Sequence, residues 1–414
     1  MTDNADAADR MAEIVLYKEE ESVVAISVTQ KGVGEVNSTT SLAIAKKLGL
    51  GWNLGNQLDA HSNGVSGETL GGNNKATQAT FDSLKMMGIK TVRIPITWLG
   101  KVGEAPSYTI DKDWIDRVAE VVGYAERAGL NAIINIHHDG AESAHWLNIK
   151  NAAFSETSNA NIKAQIVAMW KQIAQTFMDK GDFLIFESFN EIHDGGWGWG
   201  SNRNDGGKQY KVLNEWNQAF VDAVRSVGGE NTNRWLAVPG YCTNIDLTVE
   251  HLVLPTDPTE GRLMVAVHYY DPYEYTLNAE FSEWGHTAKK AASYGDEKSM
   301  REQLKKLKDK YVDNDIPCYL GEMGNVNRGE ATAEAFRHYY FEYLCRVCYD
   351  YGLAPIIWDN GVADSGMECS GMFDHATGKI IMPEYNREHI KTMVKAVESD
   401  DTDYTIESIY YSAP

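Results

Sequence analysis

From about residue 47 onward, short and nearly unbroken apolar runs alternate with longer amphipathic stretches. The runs are GLGWNLGN (49–56), IKTVRIPI (89–96), LNAIINIHHD (130–139), DFLIFESFNE (182–191), RWLAVPGY (234–241), RLMVAVHYY (262–270), PCYLGEMG (317–324) and APIIWDNG (354–361). Continuous apolarity over such lengths predicts strands of a parallel sheet buried on both faces, since a sheet with one wet face alternates. Between the runs, Trp114, Ile115, Val118, Val121, Val122 and Ala125 make one apolar stripe. Ile162, Ile166, Met169, Trp170, Ile173 and Phe177 make a second; Leu213, Trp216, Phe220 and Val224 a third; Phe336, Tyr340, Tyr343, Leu344 and Val347 a fourth. That spacing predicts helices with one face on a core. Eight strand–helix units close an α/β fold of the (β/α)8 TIM-barrel type.

The two ends break the pattern. Residues 10–30, RMAEIVLYKEEESVVAISVTQ, hold two β-rich runs around a charged turn, followed by a Gly/Ser/Thr-rich linker. The expected division is an N-terminal β extension over 1–35, a barrel over 36–398 and an acidic C-terminal tail over 399–414.

Charge narrows the partners. A formal net charge of −21 repels polyanions, which argues against nucleic acid and anionic membranes and suits a neutral substrate. No apolar stretch reaches the roughly 18 residues of a membrane span, and MTDNADAADR lacks a signal-peptide core. The five cysteines form no disulfide framework in a chain of this size, and Cys345 and Cys348 sit at helical spacing as small core residues. The acidic loops show no ordered spacing for calcium.

In a barrel of this kind the working residues stand where the strands stop. Those positions hold Asn53, Arg93, His137 and His138, Asn190 and Glu191, Tyr241, His268 and Tyr270, Glu322, and Trp358 with Asp359. Glu191 alone is one carboxylate among many. Glu322, at the end of the seventh run, faces it across the mouth, and facing carboxylates are what glycosidic-bond cleavage needs. With Glu322 ionised nearby, Glu191 is expected to be pushed up and kept protonated as the acid. Arg93 can hold Glu322 ionised, Tyr270 can donate to it, and Asn190 can donate to the hydroxyl beside the reacting carbon. Glu187 shares the parity of Glu191 but lies about 13 Å deeper, as a buried polar partner. His137 and His138 are adjacent, so strand alternation would point them to opposite faces and keep them from sharing a metal. Trp146, Trp197 and Trp199 fall in loops after strand ends and Trp358 ends the eighth run; indoles there can stack on the apolar faces of sugar rings.

These residues carry a resemblance to glycoside hydrolase family 5, a clan A retaining family, and within it to the subfamily-four endoglucanases and xyloglucanases. The matching segments are GWNLGNQLDA (51–60), VRIPITW (92–98), IINIHHD (133–139), FESFNE (186–191), VHYYDPYEYT (267–276), YLGEMG (319–324) and WDNG (358–361), in family order. The resemblance implies Glu191 as acid/base and Glu322 as nucleophile. Arg93, His137, Asn190, His268, Tyr270 and Trp358 would complete the active site, with Asn53, His138, Trp146, Trp197 and Trp199 as further substrate contacts. It also implies no cofactor, no metal, a β-glucan substrate and a secreted or cell-surface enzyme, its signal peptide removed. Monomer is the default expectation. Ile192 departs from the proline usual after Asn-Glu. The piece ending ISVTQ is similar to the last strands of a BACON domain. Xyloglucan specificity, mannan or xylan cleavage, and a carbohydrate-binding barrel without catalysis are the alternatives.

Overall fold

The computed structural model describes residues 10–18 and 21–30 as backbone strands and residues 40–414 in full. The two N-terminal strands, Arg10–Lys18 and Glu21–Gln30, pair antiparallel with a bulge at Leu16/Tyr17. The likeness of this segment to a BACON domain falls on residues whose side chains lie outside the described set, as does the linker 31–39.

Eight parallel strands close the barrel: β1 (Gly51–Asn53), β2 (Thr91–Ile94), β3 (Asn131–Ile134), β4 (Leu184–Glu187), β5 (Leu236–Pro239), β6 (Leu263–Tyr269), β7 (Cys318–Met323) and β8 (Leu353–Ile357), with β8 pairing back onto β1. Every apolar run of the sequence overlaps one, seven of them containing it whole and the eighth starting one residue after Leu353. The strands are shorter than the runs because regular pairing stops at Ile134 and Glu187; beyond them single backbone bonds tie His137 to Ile96 and Asn190 to Ile136. The four apolar stripes fall on α1 (Lys112–Ala128), α2 (Glu156–Thr176), α3 (Lys208–Val227) and α4 (Ala331–Tyr351). Asp111 caps α1 by accepting the Trp114 N–H at 2.8 Å, which satisfies one orphan donor of its first turn.

The period of two along each strand sorts side chains into an outer and an inner core. The outer core, between sheet and helices, takes Trp52, Val92, Ile134, Phe186 and Leu320. The inner one takes Ile133, Ile185, Ala237, Met264, Tyr319 and Ile356, and Ile44 and Leu48 of the helix Thr40–Leu48 belong to it. The barrel is therefore apolar at its base. Continuing the inward parity upward brings Arg93, Asn135 and Glu187 into the next layer and His268 to the mouth, where His137, Glu191 and Glu322 join it, Glu322 through a one-residue register shift in β7. The C-terminal residues pack on this frame: Tyr404 donates to Glu342 at 2.6 Å, and Tyr410 stacks on His286 at 3.8 Å between ring centres.

Candidate active site

Arg93 organises the site from below. Buried entirely, it spends all five N–H donors: Nε on Glu187 at 3.1 Å, Nη1 on Asn53 Oδ1 at 3.0 Å and Glu322 Oε1 at 2.8 Å, Nη2 on Glu187 at 2.7 Å and Asn190 Oδ1 at 2.8 Å. Burial alone would pull the guanidinium pKa down, but the charges of Glu187 and Glu322 outweigh it and hold it above the usual value. Glu187 also accepts from Tyr319 (2.5 Å) and Asn135 (2.9 Å). Burial raises its pKa, and Arg93 more than reverses that. A buried ion pair holds only when its remaining hydrogen-bonding capacity is met, and here it is. Because Arg93 takes the Oδ1 of Asn190, that side chain turns its amide donor elsewhere, and Asn190 lines the cavity.

Above this layer stand Glu191 and Glu322, with His268 between them. His268 Nδ1 is 2.7 Å from Glu191 Oε1 and 3.7 Å from Glu322 Oε2. One ligand-type atom from each of the three residues lies within 4.8 Å of the others. Local backbone produces this meeting: pairing of β6 with β7 shifts register between Val267 and His268, setting His268 opposite Glu322. Bulges of this kind re-aim side chains at barrel rims. Tyr270, two residues on, donates to Glu322 Oε2 at 3.1 Å. His268 Nε2 is buried without a hydrogen-bond partner.

The electrostatics reverse one expectation. Burial pushes Glu191 upward, but the hydrogen bond and charge of His268 outweigh it and hold the carboxyl below its ordinary range. Glu322 is the raised member: burial outweighs His268 and Arg93, and the charge of Glu191 adds to the rise. The expectation weighed only Glu322 against Glu191; His268, inward on β6, bonds Glu191 directly and overrides it.

The cavity above the pair encloses about 760 Å³. His137, His138, Asn190, Tyr270, Trp197, Trp199 and Trp358 line it, together with Glu191, His268 and Glu322. His137 lies parallel to Trp358, 6.1 Å between ring centres. Three expectations change. Asn53 does not face the cavity: it is fully buried beneath, donating to Gly321 O at 2.9 Å and accepting from Arg93. Trp146 is not part of the lining, and its indole N–H is spent on Asp139 at 2.7 Å. His137 and His138 do not diverge. Strand β3 has ended at Ile134, so alternation no longer applies, and the two rings meet edge to face at 4.4 Å. With Asp59 they form a second group whose ligand-type atoms lie within 4.8 Å, although Asp59 already accepts the N–H groups of Asn56 and Gln57. Ile192, where a proline was expected, is buried, and its N–H, which proline lacks, donates to Asn190 O at 3.2 Å.

Other lining residues were not singled out from sequence. Cys242, Asn244, Asp271, Tyr273, Tyr294 and Glu368 come from loops after β5, β6 and β8, where no periodicity marks which side chain turns inward. Asn135 had a readable signal, since it precedes His137 by two positions on one strand line.

The family model for cellulase, glycosyl hydrolase family 5, matches residues 56–364. The chain belongs to glycosyl hydrolase family 5. A solved broad-specificity endoglucanase from Bacteroides salanitronis is 58% identical, covers 88% of this chain and 97% of its own, and superposes with a TM-score of 0.86. Endoglucanase A of Paenibacillus barcinonensis is 36% identical over 80% of this chain and 86% of its own length. A xyloglucan-specific endo-β-1,4-glucanase of Bacteroides ovatus is 33% identical over 82% of this chain and 68% of its own.

Proposed function

We propose that this family 5 protein is a retaining endo-β-1,4-glucanase that cleaves internal bonds of plant cell-wall β-glucans. The observation that carries it is the spacing of Glu191 and Glu322, with an oxygen of each within 4.8 Å. Retaining pairs stand roughly 5–5.5 Å apart, whereas inverting pairs need roughly 6.5–9.5 Å to admit a water between carboxylate and sugar.

In the first step Glu322 attacks the anomeric carbon as the bond to the leaving oxygen breaks, and Glu191 gives that oxygen its proton. In the second, Glu191 takes a proton from water, the resulting hydroxide attacks the same carbon, and Glu322 departs as a carboxylate. Arg93 and Tyr270 hold Glu322 ionised for attack. Substrate selects the reactive proton arrangement, because the leaving oxygen can accept only from protonated Glu191. Asn190 offers its amide to the neighbouring sugar hydroxyl. Trp358 and His137 form an aromatic floor, and Trp197 and Trp199 an aromatic lip, for neutral sugar rings. A polymer of this size does not cross membranes, which supports action outside the cell.

Relatives named for broad-specificity and for xyloglucan-specific cleavage support two substrate ranges. The exposed aromatic walls, with Trp197 at 53% and Tyr273 at 45% exposure, favour the broad one. Initial rates on carboxymethylcellulose, barley β-glucan, xyloglucan and glucomannan, measured side by side, test this. Comparable rates on the first three are expected; activity on glucomannan alone or on none of them would overturn the reading.

A further inference from the structure

The loop after Glu191, HDGGWGWGSN, is built around one carboxylate. Asp194 Oδ1 accepts the N–H of Gly196 at 3.0 Å; Oδ2 accepts the Ser201 hydroxyl, the N–H of Asn202 at 3.2 Å and Gln209 Nε2 at 3.4 Å. These donors span both ends of the loop, so the chain circles Asp194. The glycines permit it. A Cβ on Gly200 would sit 2.2 Å from Asp194 Oδ1, and one on Gly196 would sit 2.3 Å from Gly200 Cα. A second tie reaches β5: the Tyr241 hydroxyl accepts the Asp194 N–H at 3.0 Å and donates to Gln209 at 2.6 Å.

The outcome is two displayed indoles. Trp197 has φ of 50°, a left-handed conformation unfavourable for a bulky residue, which persists only when its surroundings impose it. Its ring lies 4.3 Å from His193, and Trp199, 77% exposed, carries the Arg203 guanidinium 4.4 Å above its ring. Burial pushes the Asp194 carboxyl up, but its donors outweigh that and hold it at about 2, so it stays ionised through the working range.

We propose that Asp194 is a positioning residue that sets the aromatic lip on the leaving-group side of the cleft. It rests on the reading of Glu191 as the acid: the acid stands beside the oxygen of the departing sugar, and Asp194 follows it by three residues. Asp194 touches no substrate. It acts through Trp197 and Trp199, which take the sugar units of the leaving chain, with Tyr273 and Tyr294 lining the same cavity.

The test compares cellohexaose with 4-nitrophenyl β-cellobioside, whose leaving group carries no sugar. For Asp194→Ala the ratio of kcat/KM on cellohexaose to that on the aryl substrate is expected to fall about tenfold, mainly through KM, the size of one aromatic stacking contact. Asp194→Asn, which keeps one acceptor for Gly196, should recover part of it. Ser201→Ala, a milder loosening, should move the ratio in the same direction. Trp197→Ala added to Asp194→Ala should cost less than it does alone, because the two act as a unit. Equal loss on both substrates, or an unmoved ratio, overturns the assignment. A wild-type protein that cleaves neither substrate overturns the glucanase reading and this one with it.

Discussion

Glu187 and Arg93 are bonded twice, Nε and Nη2 of the guanidinium both reaching the carboxylate inside the barrel, and neither side chain is measurably exposed beyond 1%. Glu187 thus neutralises the cation that would otherwise face Glu322 at full strength. Glu187→Gln should therefore do two separable things. Stability should fall by about 3–5 kcal/mol, the usual result of removing one partner of a buried pair, seen as a lower urea midpoint at unchanged slope. The pH profile of kcat/KM should move to lower pH, because Arg93, less compensated, favours the ionised form of Glu322 more strongly.

The opposite displacement is expected at His268. Its charge and hydrogen bond favour the ionised form of Glu191, and its charge favours that of Glu322. His268→Phe removes both influences, so both carboxyl pKa values rise. The bell-shaped profile should shift to higher pH on both limbs, since those limbs report the pair as a unit. A fixed profile with a lower maximum would show that His268 only packs there.

Acid stability has a separate source outside the site. Glu334 accepts the N–H groups of Arg328 at 2.7 Å and Gly329 at 3.1 Å, pairs with Arg337 at 3.1 Å and meets His389 at 2.9 Å. Burial raises its carboxyl, but these partners outweigh that and hold it at about 2. A depressed carboxyl contributes stability above its unfolded value of about 4.3, and that contribution is lost as pH falls toward 2. Glu334→Gln should accordingly be less stable than wild type at pH 6, with the gap in urea midpoint closing below pH 4. A gap that stays constant with pH would assign the loss to packing instead.

The barrel was legible because its signal is periodic. Eight apolar runs overlap the eight strands, and the stripe led by Trp114 and that led by Ile162 fall on α1 and α2. The floor of the site was legible for the same reason: Arg93 and Glu187 lie on inward strand lines, where period two says which way a side chain points. Reading failed where that period ends. His137 and His138 were assigned diverging directions by strand logic, one turn past the last paired residue. Trp146 and Trp197 look alike in sequence, as tryptophans in polar loops. Only the fold shows the first bonded to Asp139 and the second held out by the ring around Asp194. The proton preference of Glu191 was misjudged because His268 bonds it directly, a contact between two strand ends that no spacing in the sequence shows.

The two glutamates should separate by chemical rescue. Glu322→Ala and Glu191→Ala should each lose at least about a thousandfold in kcat on cellohexaose, the scale of removing a nucleophile or a general acid. Added azide should restore turnover of an activated aryl cellobioside in both, with opposite outcomes. Azide filling the Glu322 gap attacks from that face and gives the α-glycosyl azide. Azide attacking the Glu322-bound intermediate of the Glu191 variant gives the β-glycosyl azide.

The nucleophile can be tested most directly by trapping it. A 2-deoxy-2-fluoro cellobioside with a good leaving group slows both steps, the second enough for a covalent intermediate to accumulate. Peptide mass spectrometry of the inactivated protein should find one sugar adduct, on Glu322, which disappears on reactivation with cellobiose. An adduct on Glu191, or turnover without any adduct and with inverted product configuration, would contradict the assignment of Glu322 as nucleophile in a retaining glucanase.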